Sequence, residues 1–176
     1  MTYHNADEII PRLWLGAIDP TYDLEFFRRN GITHVVTALE SRIHGASQIV
    51  TPSEHIDRFR TTAMINAAVE QFYAPVWDHP NAPLGYYFSD VCRFIDDALS
   101  RHPTNTVYVH CFAGISRSST LVAAYLILRD RLTPNAAIEL IRAKRPRVDP
   151  NPGFRQQLVW WNDYVRAQLK ETAPIE

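Results

Sequence analysis

Cys111 opens and Arg117 closes the run Cys-Phe-Ala-Gly-Ile-Ser-Arg, which lies between a β-rich stretch, Thr106-Val-Tyr-Val-His110, and a helical one that begins at Ser118. A loop so placed aims successive backbone N–H groups and the positive end of a helix at one point, which makes an anion site. Arg117 adds a planar fork able to grip two oxygens of a phosphate, while the amides of Phe112, Ala113, Gly114, Ile115, Ser116 and Arg117 cradle the rest. The same positive field favours a thiolate at Cys111, so nucleophile and phosphate cradle become one structure. Gly114 supplies the position where the backbone can take a positive φ or approach a ligand with no Cβ in the way. The competing reading of Cys111 is a buried structural thiol. Its spacing to Gly114, to Arg117 and to the helix start argues against that. Cys92, beside Val91 and near Ile95 on an apolar helix face, reads instead as a core thiol.

The elements that must hold this loop follow from punctuation and periodicity. Leu13 and Leu15 alternate with Arg12 and Trp14 after Pro11, as a short edge strand would. Asp19-Pro-Thr-Tyr-Asp23 supplies cap and first-turn residues for a helix that Asn30-Gly31 ends. Ile32 to Leu39 is a β-branched run suited to a buried strand. Thr51-Pro-Ser-Glu54 has the capping-box pattern of a short helix running to about Arg60. Val69 to Val76 reads as a strand, and Trp77-Asp-His-Pro-Asn-Ala-Pro83 as a loop, because two prolines and an asparagine deny it regular structure. Tyr87, Val91, Phe94, Ile95, Ala98 and Leu99 give residues 84–101 a helical period. A helix follows Cys111, another starts at the cap Thr133-Pro134 and runs to about Lys144, and a last one carries Phe154, Leu158, Trp161 and Val165 on its apolar side. Strands alternating with helices argue one α/β domain.

Residues 110–118, His-Cys-Phe-Ala-Gly-Ile-Ser-Arg-Ser, resemble the cysteine-dependent protein phosphatase signature H-C-x-x-G-x-x-R-[ST], in the form typical of dual-specificity phosphatases. Ile10-Pro-Arg-Leu-Trp-Leu-Gly16, Gly31-Ile-Thr-His-Val-Val36, Ala124-Tyr-Leu-Ile127 and Arg145-Pro-x-x-x-Pro-Asn-x-Gly-Phe-x-x-Gln-Leu158 are similar to family motifs in the same order, so the likeness covers a core of about residues 8–165 of a single domain, 1–176. It implies a short mixed central sheet of about five strands with helices on both sides, and a phosphate loop at the C-terminal end of a central strand. It also implies roles. Cys111 would attack phosphorus and form a phosphocysteine, and Arg117 would bind the phosphate and stabilise the transition state. His110 would orient and tune the cysteine. Ser118 would donate its hydroxyl to the sulfur when water attacks the intermediate, and Asn151 would brace the phosphate loop.

Transfer to the cysteine leaves an alkoxide or phenoxide that has to be protonated. Asp78, on a strand-exit loop ahead of a long helix, has the layout this family uses for that general acid. It would then act as base for the hydrolytic water. Asp90, Asp96 and Asp97 are rivals by type but fall within a helix, His79 is a rival as an imidazolium, and a turn aspartate capping the next helix is the plain alternative for Asp78. Asn151 has a plain alternative as a Pro-Asn turn residue.

Composition bounds the partners. Of 176 residues 46% are hydrophobic and 21% charged, enough to bury a core, which sets aside disordered and coiled-coil readings. Eighteen Lys and Arg against nineteen Asp and Glu give a net charge of −1, which argues against a nucleic-acid or membrane-surface partner. Two cysteines are too few for a disulfide framework and fit a reducing compartment. Met1 to Arg12 carries Asp7 and Glu8 and lacks the pattern of a secretory signal. Leu121 to Leu128 falls well short of the roughly 20 residues a spanning helix needs. A cytoplasmic location is therefore expected. The reaction expected is metal-independent and cofactor-free hydrolysis of phosphate monoesters on a phosphorylated protein or peptide, phosphotyrosine first and phosphoserine or phosphothreonine with it. Phe112, Ala113, Ile115 and Ser116 include none of the lysines that lipid-acting relatives place in this loop, so a phosphoinositide is the second choice. A non-catalytic phosphate-binding module comes last, since cysteine, arginine and acid are all present. Arg142, Lys144, Arg145 and Arg147 read as a solvated basic cluster at a helix C-terminus. Trp14, Trp77, Trp160 and Trp161 read as core and pocket-wall aromatics. Arg42 and His44, in the unassigned stretch 40–68, are candidates for the pocket mouth. Oligomeric state is left open, a monomer sufficing.

Overall fold

A computed structural model describes residues 5–40 and 60–171. The expected helix at Thr51 and the pocket-mouth candidates Arg42 and His44 lie outside them. Strands β1 (Ala6–Ile10), β2 (Leu13–Gly16), β3 (Ile32–Leu39), β4 (Glu70–Pro75) and β5 (Thr106–His110) form one sheet in the order β1-β2-β5-β3-β4. Only β1 runs antiparallel to its neighbour, and the other pairs are parallel. Six α-helices are present among the described residues: α1 (Leu24–Asn30), α2 (Thr62–Asn66), α3 (Phe88–Arg101), α4 (Arg117–Asp130), α5 (Pro134–Lys144) and α6 (Pro152–Glu171).

Side-chain alternation along the strands divides the core into two layers. Val35 and Tyr108 face Phe26, Phe27 and Met64 of α1 and α2. Val36, Val107 and Val109 face the larger layer built by α3 to α6. Helix α4 is buried on all sides from Arg117 to Ile127, which fits a helix in the middle of a layer and an apolar run with no polar stripe. Local chemistry sets the boundaries. The Asp23 carboxylate caps α1 at Glu25 N, Gly31 ends it with φ 61°, and Thr133 caps α5 at Ala136 N.

One expectation is overturned here. Leu13–Gly16 is not an edge strand. It lies between β1 and β5, and the unexpected strand Ala6–Ile10 covers its outer side. Pro11 belongs to the tight turn joining the two, where Arg12 takes φ 68°, so the residue that suggested an edge marks a hairpin instead. Acidic Asp7 and Glu8 on a strand with only Ala6 and Ile9 buried hid β1 from the pattern.

Candidate active site

β5 is the middle strand of the five, and its last residue, His110, delivers Cys111 to the C-terminal edge of the sheet. The loop that follows turns back on itself before α4. Gly114 holds φ 66°, and a Cβ there would lie 2.5 Å from the carbonyl carbon of Gly16, so the turn and the contact with β2 both require glycine. Cys111 is buried. Its Sγ lies 3.3 Å from Gly114 N, which donates to it, and 3.2 Å from Ser118 Oγ.

Every carbonyl from Phe112 to Ser116 is tied down behind the loop. Ile18 N donates to Phe112 O at 3.1 Å, and Asp149 N to Ile115 O at 3.0 Å. Arg145 Nε donates to Gly114 O at 2.8 Å, and its Nη2 to Ala113 O at 3.3 Å. Thr120 Oγ1 donates to Ser116 O at 2.7 Å, and Ser119 Oγ reaches Ile115 O and Ser116 O. With the carbonyls held outward, the peptide planes turn their N–H groups to the opposite side, which is the orientation an anion needs. Phe112 itself is 61% exposed and stands at the rim.

Arg145 corrects the sequence reading. Instead of belonging to a solvated basic cluster it is 3% exposed, lies under the loop, and pairs with Asp7 Oδ2 at 2.7 Å and Asn5 Oδ1 at 2.6 Å. The N-terminal hairpin therefore anchors the phosphate loop. Arg147 does stay exposed, and its Nη1 donates to the same Asn5 Oδ1.

Arg117, at the start of α4, is likewise buried. Its Nη1 donates to Val76 O at 3.1 Å and pairs with the Glu40 carboxylate at the exit of β3. Its Nε, also buried, has no hydrogen-bond partner among the described residues. A buried cationic N–H is a group that an anion would satisfy.

His110 hydrogen-bonds at both ring nitrogens. Nδ1 faces Cys111 O at 3.3 Å, and Nε2 faces Thr37 Oγ1 at 2.9 Å, which in turn accepts from Gln71 Nε2 at 2.7 Å. A carbonyl can only accept, so Nδ1 carries the proton and Nε2 accepts from Thr37. Burial, helped by the Arg117 charge, lowers its pKa to about 4, so the ring is neutral at physiological pH.

Asp78 lies on the exposed loop after β4, and the structure brings it to the phosphate loop. Ser116 Oγ donates to its Oδ1 at 2.8 Å and Asn151 Nδ2 donates to the same oxygen at 2.9 Å. Oδ2 has no hydrogen-bond partner among the described residues. Asn151 also caps α6, since its Oδ1 accepts from Phe154 N at 3.0 Å, and its backbone N donates to Ser116 Oγ at 3.2 Å. One side chain thus joins the Asp78 loop to the start of α6. Asp90, Asp96 and Asp97 lie on α3. His79 turns its ring back to Asn81 N at 3.1 Å. Cys92 is buried in the core, and burial raises its thiol far above the ordinary range.

Of the tryptophans, Trp161 is buried and donates to Ala124 O at 3.0 Å, and Trp14 packs edge-on against Phe26. Trp160, by contrast, is 63% exposed and, with Tyr86 and Tyr164, lines a groove of about 640 Å³ beside the loop that carries Asp78. No cluster of three or more His, Cys, Asp or Glu suited to a metal occurs among the described residues. No helix among them is long and apolar enough to cross a membrane.

Glu40, Arg145, Asn5 and Asp7 were missed as site residues. Glu40 directly follows a buried strand, but the register that pairs Leu39 with Pro75, and so brings Glu40 to the same sheet edge as residue 76, appears only in the fold.

Comparison with known proteins agrees with this geometry. The family model described as the catalytic domain of dual specificity phosphatases matches residues 13–164. Human dual specificity protein phosphatase 26 is 36% identical over 167 residues, covering 95% of this chain and 72% of that protein. The MAP kinase phosphatase with leucine-rich repeats protein 3 of Dictyostelium discoideum is 34% identical over 152 residues, covering 86% of this chain, but the chain spans only 15% of that protein's length. The crystal structure of DUSP15 superposes with a TM-score of 0.70 at 32% identity, covering 97% of this chain and 99% of that one. The chain belongs to the dual specificity phosphatase family, whose catalytic-domain model spans residues 13–164 of it.

Proposed function

We propose that this protein hydrolyses phosphate monoesters on phosphorylated proteins through a phosphocysteine, with Cys111 as nucleophile, Arg117 and the amides of residues 112–117 as the phosphate cradle, and Asp78 as general acid and base. One observation carries the reading: Gly114 N and Ser118 Oγ converge on a single buried sulfur, at the mouth of a loop whose carbonyls are all bonded on the far side.

In the first step Cys111 Sγ attacks phosphorus and the bond to the leaving oxygen breaks, while Asp78 Oδ2 gives that oxygen its proton. Charge on the equatorial oxygens is met by the loop amides and the Arg117 guanidinium, which Glu40 and Val76 O already hold in place, so little reorganisation is needed. In the second step the Asp78 carboxylate takes a proton from water as that water attacks phosphorus. The S–P bond breaks and the sulfur leaves as a thiolate, stabilised by the hydroxyl of Ser118. Neutral His110 holds Cys111 O, fixing the peptide that follows the nucleophile. No metal or cofactor enters either step.

Protein substrates, with phosphotyrosine accompanied by phosphoserine or phosphothreonine, are supported by family membership and by the relatives' description as dual specificity protein phosphatases. A reducing compartment such as the cytoplasm fits a mechanism that needs a free thiolate, and both cysteines are unpaired. The test is a pair of measurements on Cys111→Ser. It should be inactive on an aryl phosphate yet retain phosphotyrosine, phosphoserine and phosphothreonine peptides on a binding column. Turnover by this variant would sink the mechanism, and retention of phosphoinositide vesicles but no phosphopeptide would sink the substrate class.

A further inference from the structure

The loop carrying Asp78 is exposed from Trp77 to Asn81, yet Asp78 sits within hydrogen-bond reach of Ser116 and Asn151. Something has to hold so open a segment against the phosphate loop. Two contacts with the first turns of α6 do so besides Asn151. Gly153 lies directly beneath the loop: a Cβ on it would fall 1.8 Å from Pro80 O, so the loop backbone rests on bare helix backbone. One turn further, Gln157 spends both ends of its amide on the loop's exit. Nε2 donates to Ala82 O at 2.9 Å, and Oε1 accepts from Gly85 N at 2.6 Å. Gly153 and Gln157 are four residues apart and therefore share one face of α6.

We infer that Gln157 is a positioning residue for the general acid, clamping the C-terminal end of the acid loop onto α6 and so fixing Asp78 Oδ2 above the phosphate loop. The inference rests on the proposed role of Asp78. The clamp works through both bonds because they fall on either side of Pro83 and Leu84: Ala82 and Leu84 are buried at the loop's exit, but residues 77–81 are exposed and Val76 is the next buried residue before them. Ala82 O and Asp78 belong to one short, proline-bounded stretch, so loosening its exit lets the acid drift, and proton transfer is sensitive to displacements of about 1 Å.

The measurement is kcat/KM on phenyl phosphate, whose leaving group needs a proton, and on p-nitrophenyl phosphate, whose leaving group departs largely without one. It is made for the wild type, Gln157→Leu, Gln157→Glu, Asp78→Asn and the double variant Asp78→Asn/Gln157→Leu. Gln157→Leu should lose roughly tenfold on phenyl phosphate, a part of the 10² to 10⁴ that general acid catalysis supplies, and no more than about twofold on the nitrophenyl ester. Gln157→Glu, which keeps the acceptor for Gly85 N and loses the donor to Ala82 O, should fall between Gln157→Leu and the wild type. The double variant should be no slower on phenyl phosphate than Asp78→Asn alone, because the clamp acts through Asp78. The p-nitrophenyl rate also reports folding, since a misfolded variant loses both activities. Equal losses of Gln157→Leu on the two esters, or additive losses in the double variant, would overturn the clamp while leaving the acid in place. Equal losses of Asp78→Asn on the two esters would overturn the acid and the clamp together.

Discussion

The phosphate loop, Cys111–Arg117, and the acid loop, residues 77–83, meet at the hydrogen bond between Ser116 and Asp78, and they differ in how much of the molecule holds each. Behind the first stand a buried arginine, the N-terminal hairpin, three hydroxyls of α4 and the end of β3. Behind the second stand little more than Asn151, Gly153 and Gln157. The proposed cradle for the dianion is built into the core, where its dipoles are fixed before a ligand arrives. Asp78, the proposed proton donor, lies on a surface strip held at a few points. Damage to the first should therefore cost binding, rate and stability on every substrate, whereas damage to the second should cost rate alone: formation of the phosphocysteine only where the leaving group needs a proton, and its hydrolysis on any substrate.

The largest effect should come from Arg117→Lys, which keeps a charge but loses the fork. A fall of roughly 1,000-fold in kcat/KM is expected on phenyl and p-nitrophenyl phosphate alike, and a loss confined to the phenyl ester would erase the distinction between the loops. Asp78→Asn comes next, with roughly 100-fold lost on phenyl phosphate, far less on the nitrophenyl ester, and an unfolding midpoint in urea within experimental error of the wild type. A large fall in its midpoint would mean that the acid loop is as structural as the phosphate loop. Arg145→Met should show the reverse pattern: about 2 to 4 kcal/mol lost in urea unfolding, because Gly114 O and Ala113 O lose their donor, together with weaker inhibition by inorganic phosphate. Unchanged stability would show that the hairpin is no anchor.

The smallest effect, taken per pH unit, is a pH dependence. His110 is lowered from 6.5 to about 4 in the folded state, so between these values the unfolded chain binds a proton that the folded one refuses. Stability from this group is complete above pH 6.5, falls by about 1.4 kcal/mol per unit as pH drops toward 4, and falls no further below that. Urea titrations of the wild type and His110→Gln should differ by this slope, and the difference separates His110 from His34, which burial also lowers. Parallel curves would remove His110 from the set of buried groups behind the nucleophile.

What the sequence made readable follows the same division. Cys111, Gly114, Arg117 and Ser118 could be assigned because a strand, a loop and a helix start supply them in one contiguous run, so local spacing determines where they meet. Asp78 could be placed on its loop, but its contact with Ser116 could not, since it depends on how α6 packs. Arg145 was misread because a basic residue at a helix C-terminus is ordinarily solvated, and only the return of the N-terminal hairpin, 138 positions away in sequence, buries it against Asp7. Glu40 had no periodic neighbour to mark it. Strand β1 went unseen because its outer face is acidic, and its partner β2 was then taken for an edge. In each case the missing information was a long-range pairing, which composition and period do not carry.

The central claim is that Cys111 becomes covalently phosphorylated during turnover. Rapid acid quench of the wild type with an excess of aryl phosphate, followed by peptide mass spectrometry, tests it directly. One phosphoryl group on the peptide containing Cys111, accumulating further in Asp78→Asn on p-nitrophenyl phosphate as its hydrolysis slows and absent in Cys111→Ser, is the predicted result. A phosphoryl group on any other residue, or steady turnover with no covalent adduct at any quench time, would contradict it.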